Sequence, residues 1–189
     1  MNLSFCIIDH HFFIIIPSVC PYGKLIEGGA GMRVFEAASD SIKPVMNQLL
    51  KGTAFDGFLA RGVEISALTR IEISGVLDKN FFPEAERAAI NRIYVRWDEI
   101  KHLAFSLIRG GKPPRSLKII FALPDEEVTA LHENASALFL NLLFEEGKLR
   151  FTTAVSQRAF SLDKSLDAAW DSYIKDFFFK NKWSVSTLS

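Results

Sequence analysis

Along residues 32–180 the spacing of apolar positions switches repeatedly between a period near 3.6 and a period of 2, and each switch marks an element. Met32–Ala37 reads as a short strand. In SDSIKPVMNQLLKG, Ile42, Val45, Met46, Leu49 and Leu50 recur at i, i+3, i+4, i+7 and i+8, one face of an amphipathic helix. Ser39, Asp40 or Ser41 can cap its start, Pro44 sits in or near its first turn, and Gly52 stops it. Phe58–Ile65 and Arg70–Leu77 alternate as strands do, with Ile71, Ile73 and Leu77 on one face and Arg70, Glu72 and Ser74 on the other. Asp78–Phe82 is the candidate for a further short strand.

The second half repeats the order. Pro83–Ala89 reads as a helical turn and Arg92–Arg96 as a strand. A second helix is capped near Asp98 and ended at Gly110-Gly111, with Ile100, Leu103, Ala104, Leu107 and Ile108 on one face. Leu117–Leu123 is a strand and Pro124–Asn134 an acidic, partly helical connector. Ala137–Phe144 and Lys148–Val155 form a hairpin around Glu146-Gly147, and Ala159–Leu162 is a candidate strand. A last helix starts at Asp163 and aligns Leu166, Trp170, Tyr173, Ile174 and Phe177. The segments IKPVMNQLLKG and IKHLAFSLIRG are near copies, with Lys43 matching Lys101 and Lys51 matching Arg109. The expectation is therefore an α+β fold of two tandem strand–helix–three-strand units. One internally duplicated domain would span 32–180, including the C-terminal helix, with 181–189 as a tail. Convergence is the alternative, since any Gly-capped amphipathic helix has this period.

The patterns MRVFEA, IKPVMNQLLKG, TRIEISGVL, IYVRWDEIKHLAFSLIRG and LKIIFAL resemble one domain of the DNA sliding clamps. That resemblance implies antiparallel sheets with the helices on one face. It also implies a helical surface turned toward the DNA backbone, carrying Lys43, Lys51, Lys101, Arg109 and Lys112. One chain supplies one such domain, so only a homo-oligomer could close a ring. Phe105 projects from the otherwise polar face of the second helix and suits a protein contact better than a sliding surface. The competing reading of the basic residues is a solvated helix face. FDGFLA, IRGGKPPRSLKIIFAL and FTTAVSQRAFSLDKSLDAAWD resemble a bacterial family of uncharacterised domains, which lends no activity.

Charge limits the nucleic-acid reading: 22 basic residues balance 22 acidic ones, which argues against coating nucleic acid through bulk charge and leaves a local basic face as the alternative. Residues 1–31 differ in character from the body. Their apolar run Phe12–Ile16 is shorter than the roughly 20 residues a bilayer needs. It also lacks the basic start of a secretory signal. Glu27-Gly28-Gly29 can be encoded by a purine-rich ribosome-binding sequence just upstream of the Met32 codon, so Met32 is read as the start and 1–31 as translated leader. Both cysteines, Cys6 and Cys20, fall in that leader, which leaves the body without a disulfide or a Cys-based zinc site. The reading is cytoplasmic, with no membrane association.

No reaction can be assigned. RGGKP departs from the phosphate-binding loop, because Ser106 and Pro113 stand where Gly and a hydroxyl residue are required. His102 and His132 lack partners at metal spacing. Asp163, Asp167 and Asp171 share one face of the last helix, and the reading preferred over a cation site is a cap followed by a solvated face. Ser156 lacks the glycines of a nucleophile elbow. No cofactor and no metal are expected. Phe105, Phe178, Phe179 and Trp183 are the candidates for a partner surface. The function expected is a binding or scaffold domain, clamp-like, engaging DNA or a protein partner. The alternative is a small enzyme or ligand-sensing regulatory domain whose site assembles from distant residues.

Overall fold

The computed structural model describes residues 32–109 and 112–188; the expected leader lies outside them. Among these residues, eight strands form one antiparallel sheet accompanied by five helices. The chain runs β1 (Val34–Ala37), α1 (Ser39–Leu50), β2 (Leu59–Ser66), β3 (Arg70–Ser74), α2 (Glu84–Arg87), β4 (Val95–Arg96) and α3 (Trp97–Ile108). It continues through β5 (Ser116–Ala122), α4 (Asp125–Leu131), β6 (Ala135–Glu145), β7 (Lys148–Gln157), α5 (Ser165–Lys180) and β8 (Val185–Leu188). The strand order is β3-β2-β5-β6-β7-β1-β8, with β4 pairing to β2.

Alternation decides which face is covered. Leu117, Ile119 and Phe121 of β5, Leu138, Leu140 and Leu142 of β6, and Leu149 and Phe151 of β7 are fully buried. The pairings Phe121↔Leu140 and Leu142↔Phe151 put them on one face. Helices α1, α3 and α5 pack on that face, burying Val45 and Leu49, Trp97, Ile100 and Ala104, and Leu166, Trp170, Ile174 and Phe178. The β6–β7 hairpin turns at Glu146 and Gly147, both at positive φ (50° and 74°), the geometry whose twist matches the flanking strands.

Several local expectations are corrected. Asp78–Phe82 is a 3₁₀ turn rather than a strand, because the Asp78 carboxylate accepts the Asn80 N–H and curls the chain at Lys79–Phe81. Ala159–Leu162 is a loop, held by the Ala159 N–H on Asn134 and the Ser161 N–H on Gln157. Helix α1 begins at Ser39, which places Pro44 inside it. Ser41 is buried and accepts the Ser184 N–H at 2.9 Å instead of capping its own helix. At α3 the Glu99 carboxylate, not Asp98, accepts the N-terminal Arg96 N–H at 2.7 Å. Arg92 bonds the same carboxylate and holds its pKa below the usual range. The segment read as a tail carries an edge strand, β8, hydrogen-bonded to β1.

Two outcomes follow. A Cβ added at Gly75 would lie 1.7 Å from the Ala60 carbonyl oxygen, whereas one at Gly57 meets nothing within 4 Å. Urea unfolding of Gly75→Ala is expected to show a loss of about 1–3 kcal/mol, with Gly57→Ala within about 0.5 kcal/mol of the parent. Tyr173 links α5 to α4 by donating to Glu127 at 3.2 Å, and burial pushes its phenol up to about 12 from 10. A raised folded pKa means its stabilising contribution is complete below pH 10 and is lost as pH rises from 10 through 12. Ultraviolet titration of Tyr173→Phe should lack the most alkaline phenol transition, and the variant should lose less stability across that window.

Candidate functional site

Two regions bear on function: the outer surface of α1 and α3, and a groove at one end of the sheet. The helices meet where Trp97 Nε1 donates to the Leu49 carbonyl at 2.6 Å, a buried bond across 48 positions of chain. Beside it, Lys101 Nζ lies 2.7 and 2.8 Å from the two oxygens of Asp56 and donates to the Gly52 carbonyl at 2.8 Å. Lys101 thus closes the C-terminal end of α1 onto α3, and with about a fifth of its side chain exposed it turns inward. Lys51 Nζ stands 5.2 Å from the Phe105 ring centroid, a cation–π contact that covers part of that ring. Lys43, Arg109 and Lys112 are exposed.

Of the aromatic candidates, Phe179 is 83% exposed, but Phe178 and Trp183 are buried. Phe178 packs on Phe35 and Phe151, whose centroids lie 5.5 and 4.8 Å away, and Trp183 stacks on Phe55 at 5.6 Å. One helix cannot bury three consecutive phenylalanines, and Phe179 is the one turned out. A different apolar strip is exposed instead. Leu103 and Leu107, grouped with the buried face by periodicity, are 46% and 40% exposed. At 100° per residue they lie about 160° around α3 from Phe105, on the flank away from α1. The covered face is narrower than the periodic one, centred on Trp97, Ile100 and Ala104.

The groove, of about 450 Å³, is bounded by His132 and Asn134 after α4, Gln157 at the end of β7, Phe160, and Asp163 and Ser165 at the start of α5. It brings together a serine, a histidine and an aspartate that sequence reading left apart. His132 Nδ1 accepts the Asn134 N–H, so the neutral ring carries its proton on Nε2, which donates to Ser165 Oγ at 3.0 Å. Ser165 Oγ in turn donates to Asp163 Oδ2 at 2.5 Å, a bond that also holds the Asp163 pKa below the usual range. The serine therefore sits between histidine and aspartate. A nucleophile needs its base on the hydroxyl and the acid behind the base, the reverse order. The Asn134 amide is likewise engaged with the Ala159 backbone. These groups tie the α5 entry to the end of α4, and their hydrogen bonds are spent on one another.

The three aspartates of α5 separate by depth. Asp163 is exposed; Asp171 is buried and bound by Arg33 Nε at 2.5 Å and Thr153 Oγ1 at 2.8 Å; Asp167 is buried with Oδ1 unpartnered. The solvated-face reading is corrected for the last two, both buried, with Asp171 held against β7 and the Arg33 end of β1 by Thr153 and Arg33. Among the described residues, no group of three or more His, Cys, Asp or Glu could hold a metal ion. The pairings of Lys101 with Asp56, Asp171 with Arg33 and His132 with Ser165 carried no signal in spacing, since each joins distant parts of the chain.

For Lys101 and Asp56, a double-mutant cycle with Lys101→Met and Asp56→Asn should return a coupling of about 1 kcal/mol that shrinks in high salt. Each single variant should unfold at lower urea than the parent.

No helix among the described residues is long and apolar enough to cross a membrane. No curated protein and no solved structure matches the chain. Residues 48–186 match a family of unknown function (DUF5721), which takes in strands β2 to β7 with α2 through α5 and the first half of β8. By that match the chain belongs to the family of unknown function DUF5721.

Proposed function

We propose that this chain is a non-enzymatic protein-interaction or scaffold module, clamp-like in its internal duplication, that meets its partner through the outer surface of α3. The duplication draws support from the sheet. β2 and β5, the strands that follow α1 and α3, are antiparallel neighbours in it. β1 joins β7 in the back half, while Tyr94, just before β4, bridges Val76 of the front half. In this reading the working unit begins at Met32 in a cytoplasmic setting, and its part of the chain contains no cysteine.

The observation that carries the protein-binding reading is the exposed pair Leu103 and Leu107, on a helix whose other flank places Phe105 under Lys51. A surface that tracks phosphates needs free cations, and here Lys101 is held by Asp56 and Lys51 by a ring. Of the five candidates, Lys43, Arg109 and Lys112 stay as the cations that DNA could reach, and exposed Asp40 and Asp98 lie on the same two helices, α1 and α3.

The test is a mass measurement of the full chain with and without duplex DNA, at about 50 mM and about 200 mM salt. No mass shift at either salt is the expected result, and Lys43→Glu with Arg109→Glu should change nothing. A shift at low salt that fades with a slope of about −0.9 per phosphate contacted would overturn the reading in favour of a DNA-facing surface.

A further inference from the structure

β3 ends the sheet, and among the described residues its only strand partner is β2. The Ala67 N–H bonds to the Thr69 carbonyl and the Gly75 N–H to the Arg61 carbonyl, which fixes the hydrogen-bond phase of the β2–β3 ladder. Residues 71 and 73 then exchange bonds with β2, and the backbone groups of Arg70, Glu72 and Ser74 point away from the sheet. Its outward charges, Arg70 and Glu72, are of opposite sign, and the edge lacks other usual guards. It has no proline and no lysine, and its inward residues are Ile71 and Ile73, not charges.

Resting on the protein-binding reading above, we propose that the partner is a second copy of this chain, joined by antiparallel pairing of β3 with β3 about a two-fold axis at Ile71. Charge selects that register from those the ladder phase permits. An axis at Glu72 sets Glu72 against Glu72, and one at Arg70 sets arginine against arginine. An axis at Ile71 sets Arg70 opposite Glu72 of the second copy, twice, as bonded pairs. Arg70 already lies on that face, 3.1 Å from Glu64 and 3.0 Å from Glu72. On the helix side, Ile71 meets Ile71 of the second copy. α3 packs over β2, and its flank away from α1 turns Leu103 and Leu107 toward this edge, so the pairing brings the exposed leucines of both copies together.

Sedimentation of the full chain across a dilution series tests this. The wild type is expected to run as a dimer that dissociates on dilution. Glu72→Arg, which sets like charges opposite each other twice, should weaken the dimer by about tenfold. The exchange Arg70→Glu with Glu72→Arg should restore it, since an arginine at 72 also faces Glu64 within its own chain. Glu72→Pro removes an outward N–H that the monomer does not use and should yield monomers with an unchanged circular dichroism spectrum. A wild type that is monomeric at every concentration, or a dimer that ignores Glu72→Arg and is not rescued by the exchange, overturns the proposal. Either result leaves the protein-binding reading standing unless DNA also shifts the mass.

Discussion

Phe55 is the point at which distant parts of the chain are brought to one place. It is fully buried, stacked on Phe121 of β5 at 5.3 Å and on Trp183 at 5.6 Å, with Phe177 of α5 edge-on at 5.3 Å and Phe58 tilted at 6.2 Å. The α1–β2 connector, the central sheet, the last helix and the C-terminal segment thus share one aromatic cluster. Offset and edge-on ring pairs each add about 0.5–1.5 kcal/mol beyond the area they bury, and these pairs share rings, so the contacts reinforce one another. Remove that shared ring and Phe177 and Trp183 lose the group that joins them to Phe121 of the central sheet.

The same cluster determines what is left for the surface. Once it has absorbed Phe177, Phe178 and Trp183, the outward apolar groups of this region reduce to Phe179, and the flank of α3 becomes the more coherent strip. The charges sort by a parallel logic. A cation beside an anion on a neighbouring element stabilises the packing that produced it, and Lys101 with Asp56, Arg92 with Glu99, Arg150 with Glu36 and Arg33 with Asp171 are all committed within the chain. Cations committed in this way are not available to a partner, and a binding surface has to be built from the remainder.

Local order was legible because it depends on neighbours in sequence. The alternation in LKIIFAL, the Glu146-Gly147 turn and the α1 and α3 periodicities correspond to β5, the β6–β7 hairpin and the two helices. Where the reading erred, a contact from far along the chain decided the outcome. Ser41 looked like a cap but spends its hydroxyl on Ser184, 143 positions away. Asp171 looked solvated, yet Arg33 waits for it at a separation of 138. Leu103 and Leu107 looked buried, because periodicity marks which residues could share a face and not how wide a face the sheet can cover. The His132–Ser165–Asp163 cluster shows the same limit in chemistry: spacing could not assemble it, and only the direction of each hydrogen bond shows that its order is not that of a nucleophilic triad.

The two edges of the sheet are treated differently by the chain. Trp183, held against Phe55, delivers Val185–Leu188 to the side of β1, where Ala37 pairs with Val185 and Val34 with Leu188. The C-terminal segment therefore covers the exposed edge of β1 and carries that end of the sheet one strand further. Among the described residues nothing equivalent reaches β3: the chain between β3 and β4 winds into a 3₁₀ turn and α2, stapled to itself by Lys79 on the Ile90 carbonyl and Arg87 on the Phe82 carbonyl. That excursion consumes its own polar groups and leaves the outward row of Arg70, Glu72 and Ser74 uncovered. One aromatic anchor, by holding the segment that leads into β8, thus makes the two ends of the sheet unequal, and the proposed pairing through β3 follows from that inequality.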